Sequence, residues 1–239
     1  MEKIITFENL RQFAYCNDTV CKRPIKGIAV NFGGLGGANM HDEETEEGLF
    51  FAEHGVLYVQ GYNNPWCWMN KQAVAYTDEV LDVLIAHYQL PQNIPVVAIG
   101  ASMGGQSALV YAVYAKRTPV ACVVNCPPCD LVYHYSERTD LPRTLYSAFF
   151  NESGTLEEAL STASPIHLVD QMPDIPYYIF HCEKDDAVNI HKHTDRFVEK
   201  MKKDHRVVYH VVPDRIHCDL TDEMLALYRK YAVDAVYNG

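Results

Sequence analysis

The sequence lacks any long hydrophobic run, because no stretch approaches the roughly 18 apolar residues expected of a membrane span. Its first residues, MEKIITFENLRQF, contain no apolar segment long enough for the core of a signal peptide. Basic residues are also few: 20 lysines and arginines stand against 31 aspartates and glutamates, which gives a net charge of −11. This acidity argues against nucleic acid and membrane surfaces as partners. We therefore expect a cytoplasmic protein.

The composition does not indicate disorder. Hydrophobic residues make up 48% of the chain and charged residues 21%, which is ordinary for a globular protein. A chain of 239 residues can bury a large core. No internal repeat, low-complexity tract or linker divides it. We expect residues 1–239 to form a single domain.

Eight cysteines are scattered along the chain, several of them inside apolar runs such as VACVVNC, which contains Cys122. A free cysteine in such a run behaves as a small hydrophobic residue. Cys126 and Cys129 form a C-x-x-C motif, which can indicate a redox or zinc site. No second C-x-x-C follows, and the motif comes after a predicted strand. We therefore expect reduced thiols and no bound metal there.

Strand-like and helical patterns alternate along the chain. IITFE and RQFAYC suggest an N-terminal hairpin, and the later candidate strands are GIAVNF, GVLYVQ, IPVVAIG, VACVVNC, PYYIFHC and RVVYHVV. Most are apolar throughout, as in strands buried on both faces of a parallel sheet. Amphipathic stripes predict helices around Thr77–Tyr88, after Ser102 and from about Asp219. The alternation predicts an α/β fold: a doubly wound, mostly parallel sheet with helices on both faces and sites at the carboxyl ends of its strands.

One interval interrupts this alternation. Residues 127–166 follow the sixth predicted strand and contain no convincing strand of their own. Insertions of this length are more often functional than passive. We expect residues 127–166 to form a cap or lid.

The segment IPVVAIG is followed by ASMGG, so that Gly100, Ser102 and Gly104 match G-x-S-x-G. In this motif the serine occupies a strained turn between a strand and a helix, and the flanking residues must be small for the backbones to approach. Ser102 is the candidate nucleophile. The backbone N–H of Met103 would then donate to an oxyanion from the helix N-terminus.

A nucleophilic serine needs a base that is oriented by an acid. Of the eleven histidines, His217 lies just after the last predicted strand and before the last helix. Asp185 and Asp186 follow PYYIFHC, again past a strand end, and either could orient the histidine. The order serine, aspartate, histidine is the order of this motif. His191 and His193 begin a charged helical segment, where we expect exposure to solvent rather than a zinc pair.

The second oxyanion donor should come from the loop after an earlier strand. The glycine-rich segment NFGGLGG allows backbone N–H groups to converge, and Gly34 and Leu35 are the candidate donors. A dinucleotide-binding loop is the alternative, but the G-x-G there lacks the third small residue, and no P-loop lysine follows. The acidic run HDEETEEG is expected to be a solvated helix start rather than a divalent-ion site.

Together these segments resemble the α/β-hydrolase fold. From about Lys26 to Tyr231 the chain resembles a single-domain member of the prolyl oligopeptidase-type and acyl-esterase branch. The resemblance rests on NFGGLGG, GASMGG, SPIHLVDQMPDIPYYIFHCEKDDAV and IHCDL. It implies that Ser102 is the nucleophile, Asp185 the acid and His217 the base.

Three residues depart from the family pattern. Phe32 stands before Gly33 where the family usually has histidine, and Cys182 and Cys218 stand where it usually has glycine. Two thiols beside the predicted triad could make the enzyme sensitive to oxidation, although buried, inert cysteines are common. The sequence also lacks the β-propeller of the family's peptidases, which favours an esterase.

The predicted activity is hydrolysis of carboxylic esters, of small acyl or carbohydrate-linked acyl groups, through an acyl-enzyme and without a cofactor. A peptidase or amidase with the same triad and a non-catalytic binding module are the alternatives. Aromatic side chains from the loops and the insertion should line the pocket: Trp66, Trp68, Tyr133 and Phe149. The expected partner is a small ester substrate, and a homo-oligomer is possible.

Overall fold

A seven-stranded sheet forms the centre of the computed structural model, which describes residues 4–37 and 40–239. Its strands are β1 (Ala14–Cys16), β2 (Gly27–Phe32), β3 (Val56–Gly61), β4 (Val96–Ala101), β5 (Ala121–Asn125), β6 (Tyr177–Cys182) and β7 (Val207–Val212). They lie in the order β1-β3-β2-β4-β5-β6-β7. Among the strands of the described residues, only the pairing of β1 with β3 is antiparallel. The predicted mostly parallel sheet is confirmed.

The apolar character of the strands follows from their burial. Every residue of β5 is buried, as are the first five of β4, because helices cover both faces of the sheet. The register pairs Ile28 with Val96 across β2 and β4, and Val97 with Ala121 across β4 and β5. The parallel strands therefore end at a common edge.

The N-terminal hairpin predicted from the sequence does not form. Residues 4–8 are not in a strand, and β1 pairs instead with β3, where Ala14 lies opposite Gly61. The ring of Phe7 stacks on His87, with 3.3 Å between the ring centroids, and Ile5 is buried. These apolar side chains pack in the core rather than pairing as a strand edge. As a consequence, the insertion at 127–166 follows the fifth strand, not the sixth.

Helices cover the two faces unequally. Helices α1 (Glu46–Glu53) and α8 (Asp222–Asn238) pack on one face, and α2 (Lys71–His87), α3 (Met103–Tyr114) and α7 (Thr194–Met201) contribute to the larger core on the other. Alanines and glycines on α3 bring it close to the sheet, and its residues from Met103 to Ala112 are buried. Within the described ranges, no helix is both long and apolar enough to cross a membrane.

The insertion packs into the larger core. It contains α4 (Leu131–Glu137), α5 (Leu141–Phe149) and α6 (Leu156–Ser161). The Asp130 side chain accepts the Tyr133 N–H and so caps α4, while Thr155 begins α6 with a capping box. The apolar faces of these helices are buried: Leu131, Leu141, Leu145, Phe149 and Leu160. The role of residues 127–166 as a lid stays a prediction.

Candidate active site

Ser102 occupies the turn between β4 and α3. Its φ of 56° and ψ of −129° place a non-glycine residue in a sparsely populated region, and such backbone strain is concentrated at functional sites. The Ser102 N–H donates to the Asn125 carbonyl at 2.9 Å, which fixes the turn against the end of β5. The turn therefore holds the serine side chain at the carboxyl edge of the sheet.

Two glycines make this turn sterically possible. A Cβ atom on Gly104 would lie 1.9 Å from the Phe32 carbonyl oxygen, and one on Gly100 would lie 2.4 Å from the Gly104 carbonyl oxygen. Real Cβ atoms do not approach backbone oxygen so closely. The small residues on either side of Ser102 are thus required by backbone contacts.

His217 lies in the loop between β7 and α8 and contacts both other members of the proposed triad. The Ser102 hydroxyl lies 2.9 Å from His217 Nε2, and His217 Nδ1 lies 2.7 Å from Asp185 Oδ2. The Nδ1–H group donates to the carboxylate, so Nε2 is left to accept from the serine. This is the hydrogen-bond order that serine activation requires.

Asp185 follows β6, and its side chain is fully buried. Oδ1 accepts the backbone N–H groups of Ala187 and Val188 at 2.9 and 2.8 Å. His181 Nε2 lies 3.2 Å from Oδ2. Burial raises the pKa of the carboxyl, but the hydrogen bonds from His181, His217 and Val188 outweigh it and hold the pKa of Asp185 well below its usual range. The group is therefore a buried carboxylate.

Asp186, the other candidate acid, is exposed. Among the described residues it makes no hydrogen bond to His217, whereas Asp185 does. The two adjacent aspartates are distinguished by the turn after β6, which buries the first side chain and exposes the second.

The electrostatic environment of His217 favours the imidazolium. Burial lowers the pKa of the ring, but the hydrogen bond to Asp185, a contact with Cys126 and the Asp185 charge outweigh burial and raise the pKa of His217 to about 9. The base is thus strengthened by its carboxylate neighbour.

The predicted oxyanion donors lie around the same space. Gly34 and Leu35 line the cavity that contains Ser102, and Met103 begins α3 directly after the serine. Among the described residues, the backbone N–H groups of Gly34 and Leu35 have no hydrogen-bond acceptor. They remain available to a ligand.

A cavity of about 810 Å³ opens above Ser102 and His217. Trp66 and Trp68 line it, as predicted, but Tyr133 and Phe149 do not. Phe149, the last residue of α5, is buried in the core, and the Tyr133 ring packs edge-on against His193. The prediction of these two as pocket residues is wrong, because the faces of α4 and α5 turn other side chains toward the cavity.

The residues of the insertion that do line the cavity are polar, and they were not predicted from the sequence: His134, Arg138, Asp140, Arg143 and Thr144. Thr144 accepts the indole N–H of Trp68 at 3.1 Å, which holds the indole against the insertion. No local motif indicates these positions. His134, Arg143 and Thr144 follow from the helical phase of α4 and α5, whereas Arg138 and Asp140 lie in the turn between the two helices.

His134 is held by a buried polar cluster. Its Nδ1 lies 2.6 Å from Glu137 Oε2, and the same oxygen is 2.8 Å from His193 Nε2. His193 is fully buried, so the expected solvent exposure of His193 is wrong, whereas His191 is exposed. The cluster fixes the His134 ring in the cavity wall.

The strand order and the positions of Ser102, Asp185 and His217 after separate strands are those of the α/β-hydrolase fold. Residues 67–232 match the model of the prolyl oligopeptidase family. The chain belongs to this family of serine hydrolases, which contains peptidases and esterases. The resemblance seen in the sequence is confirmed.

Solved structures of other proteins share the fold. A puromycin-hydrolyzing peptidase from Mycobacterium tuberculosis is 13% identical, with a TM-score of 0.72 over 91% of this chain and 34% of that one. The S-formylglutathione hydrolase from Agrobacterium tumefaciens is 15% identical, with a TM-score of 0.66 over 88% and 84%. Est1E from Butyrivibrio proteoclasticus is 14% identical, with a TM-score of 0.60 over 94% of both chains.

The present chain spans about a third of the length of the puromycin hydrolases that it matches. At identities this low, the likeness to solved structures shows the fold alone. No curated protein matches the chain by sequence.

Proposed function

We propose that this protein hydrolyses carboxylic esters of small acyl groups through an acyl-enzyme on Ser102. The observation that carries the proposal is the hydrogen-bonded chain from Ser102 through His217 to Asp185, at the wall of a cavity of about 810 Å³. A strained serine, a base and a buried carboxylate in this order form the machinery of acyl transfer.

In the first step, His217 Nε2 takes the proton of the Ser102 hydroxyl while Oγ attacks the ester carbonyl carbon. Asp185 stabilises the imidazolium that forms and holds the ring in place. The backbone N–H of Met103, with that of Gly34 or Leu35, donates to the oxyanion. The imidazolium then gives its proton to the leaving alcohol, and the acyl group stays on Ser102.

In the second step, His217 takes a proton from water, and the resulting hydroxide attacks the acyl-enzyme carbonyl. The same N–H groups bind the second oxyanion. Its collapse releases the carboxylic acid and returns the proton from His217 to Ser102. Every proton in the cycle moves between the substrate, water and groups that this chain supplies.

The residues of the cavity wall favour an ester substrate whose alcohol part is polar. The Arg143 guanidinium lies 5.4 Å from the centre of the Trp66 ring, so an aromatic face and a cation occupy the same part of the wall. His134 adds a ring fixed by Glu137. Aromatic faces with neighbouring polar groups suit a carbohydrate or another polar alcohol that carries a small acyl group.

A peptidase is the second candidate. The match to the prolyl oligopeptidase family and the likeness to puromycin-hydrolyzing peptidases support it. Both reactions use the same triad, and they differ in the leaving group, which is an amine in peptide hydrolysis. The choice between them depends on how well the cavity accepts an aminoacyl group.

The test compares p-nitrophenyl acetate, butyrate and octanoate with aminoacyl p-nitroanilides. We expect the wild-type protein to hydrolyse the short esters fastest and Ser102→Ala to lose at least about a thousandfold in kcat/KM. Ser136→Ala is the matched control, because Ser136 is an exposed serine of α4. Equal ester hydrolysis by wild type and Ser102→Ala would refute the proposed nucleophile. Faster anilide hydrolysis would favour the peptidase.

A further inference from the structure

Three thiols from separate parts of the chain meet beside His217. Cys126 follows β5, Cys182 ends β6, and Cys218 follows His217 in sequence. These cysteines pack in one small cluster with Val212. The Cys182 backbone N–H donates to Cys126 Sγ at 3.4 Å, and Cys218 Sγ lies 3.5 Å from His217 Nε2. The C-x-x-C partner Cys129 is not in this cluster.

The ligand atoms of Cys126, His217 and Cys218 are spaced as in a metal site. All three lie within 4.8 Å of one another. A tetrahedral Zn²⁺ with Zn–S of about 2.3 Å and Zn–N of about 2.0 Å separates sulfur from nitrogen by about 3.5 Å. The observed separation of Cys218 Sγ from His217 Nε2 is 3.5 Å. A zinc ion would therefore need little rearrangement of this pair.

The imidazole of His217 is also oriented as in a metal-binding histidine. Its Nδ1–H group donates to Asp185 Oδ2 at 2.7 Å, so Nε2 presents a lone pair that can coordinate an ion in place of its hydrogen bond from Ser102. Histidines that bind zinc almost always donate their other N–H to a carboxylate, a carbonyl or water, and this contact orients the ring. The carboxylate of the proposed triad would serve the metal in the same way.

The backbone at both thiols is unusual. Cys126 has a φ of 49° and Cys218 a φ of 60°, values in the left-handed region that favours glycine. The chain therefore places a thiol at two strained positions, and both thiols lie next to the same imidazole. Strained non-glycine residues are concentrated at functional sites.

We propose that Cys126, His217 and Cys218 form a Zn²⁺ site that reversibly blocks the hydrolase. Cys218 and His217 line the cavity, so an ion can reach them from solvent, while Cys126 is buried beneath them. Binding releases the two thiol protons, together with the Nε2 proton where His217 is an imidazolium, and forms two Zn–S bonds and one Zn–N bond, with water as the fourth ligand. The coordinated Nε2 can then no longer take the proton of Ser102.

Metal binding is measured with Co²⁺ as the spectroscopic probe and Zn²⁺ as its competitor. We expect the wild-type protein to bind one Co²⁺ with a thiolate-to-metal charge-transfer band that Zn²⁺ abolishes. Cys218→Gly and Cys126→Ala should each weaken Zn²⁺ binding by more than about tenfold. Glycine suits the φ of residue 218, so this variant should fold even if Cys126→Ala does not. Cys129→Ala is the matched control, a buried cysteine of the same segment that should bind Zn²⁺ like wild type.

Inhibition is measured separately on p-nitrophenyl acetate. Zn²⁺ should inhibit the wild-type protein, a chelator should restore activity, and Cys218→Gly should need at least about ten times more Zn²⁺ for the same fractional inhibition. The Ser102→Ala variant should still bind Co²⁺, so metal binding is decided even if the proposed hydrolase activity fails. Absence of the thiolate band, or Co²⁺ and Zn²⁺ affinities of Cys218→Gly equal to those of wild type, would overturn the site.

Discussion

His217 Nε2 lies 2.9 Å from Ser102 Oγ although 115 positions separate the two residues in sequence. The contact exists because β4 and β7 are both parallel members of one sheet, so that the turns after them open at the same edge. The geometry of the candidate site is therefore a consequence of the strand order.

The two adjacent aspartates should differ sharply in their effect on activity. Asp185→Asn should lower kcat/KM for p-nitrophenyl acetate by about 10⁴-fold, because an amide cannot stabilise the imidazolium or fix its tautomer. The measurement is steady-state hydrolysis by the two purified variants. Asp186→Asn is the matched control and should stay close to wild type, because its side chain is exposed. A larger loss in Asp186→Asn would transfer the role to that residue.

Activity should rise with pH into the alkaline range. Only the neutral imidazole can take the serine proton, and the pKa of His217 is raised to about 9. The profile of kcat/KM against pH should therefore show an ascending limb with an apparent pKa near 9. A rate that is already constant from neutral pH upward would contradict the raised pKa.

The contribution of His217 to the stability of the fold should decrease as the pH rises, whereas activity increases. The pKa of His217 is higher in the folded chain, about 9, than the ordinary value of 6.5. The charged imidazolium therefore stabilises the fold fully below pH 6.5, and this contribution is lost as the pH rises to about 9. The test is the difference in Tm between wild type and His217→Gln, which should decrease across this interval. A Tm difference that stays constant across this interval would argue against the raised pKa of His217.

Gly104→Ala should destabilise the fold severely. The added Cβ would lie 1.9 Å from the Phe32 carbonyl oxygen, so the turn must move, and the expected cost is about 3 kcal/mol or more. Gly33→Ala is the control, because no atom of the described residues lies within 4 Å of the added Cβ. Urea unfolding of both variants measures the effect. Similar midpoints for the two would show that the turn tolerates a side chain.

Thr144→Val should destabilise the contact between the insertion and the loop after β3. It leaves the buried Trp68 indole N–H without its acceptor at a cost of about 1–3 kcal/mol. Adding Trp68→Phe removes the unsatisfied donor, so the double-mutant cycle should show a coupling between the two changes. Chemical denaturation of the four proteins provides the free energies. Additive effects would indicate that the hydrogen bond contributes little.

The parts of the fold that could be predicted from the sequence are those set by local patterns. The strands are apolar because both faces are buried, and the turn at Ser102 needs glycines for backbone contacts. The N-terminal hairpin was mispredicted because Phe7 and Ile5 are apolar for a different reason, namely packing in the core. A short apolar run does not indicate which part of the fold it packs against.

The side chains of the insertion that face the cavity could not be predicted from local patterns either. Tyr133 and His134 are adjacent, yet only His134 reaches the cavity. The outcome depends on where α4 begins, because each residue advances the helix by about 100°. A sequence without strong periodicity does not fix that phase. The pocket residues of α4 and α5 could not be read from composition.

The sequence by itself determined the apolar parallel strands, the nucleophile turn and the chain order of Ser102, Asp185 and His217, because each is set by residue patterns that are local in the chain. The tertiary structure alone decided which distant groups meet. It paired Asp185 rather than Asp186 with His217, and it placed the Cys126 thiol near that of Cys218 and not near that of its C-x-x-C neighbour Cys129. Such contacts depend on the relative positions of parallel strands, and these positions are fixed only when the whole core packs.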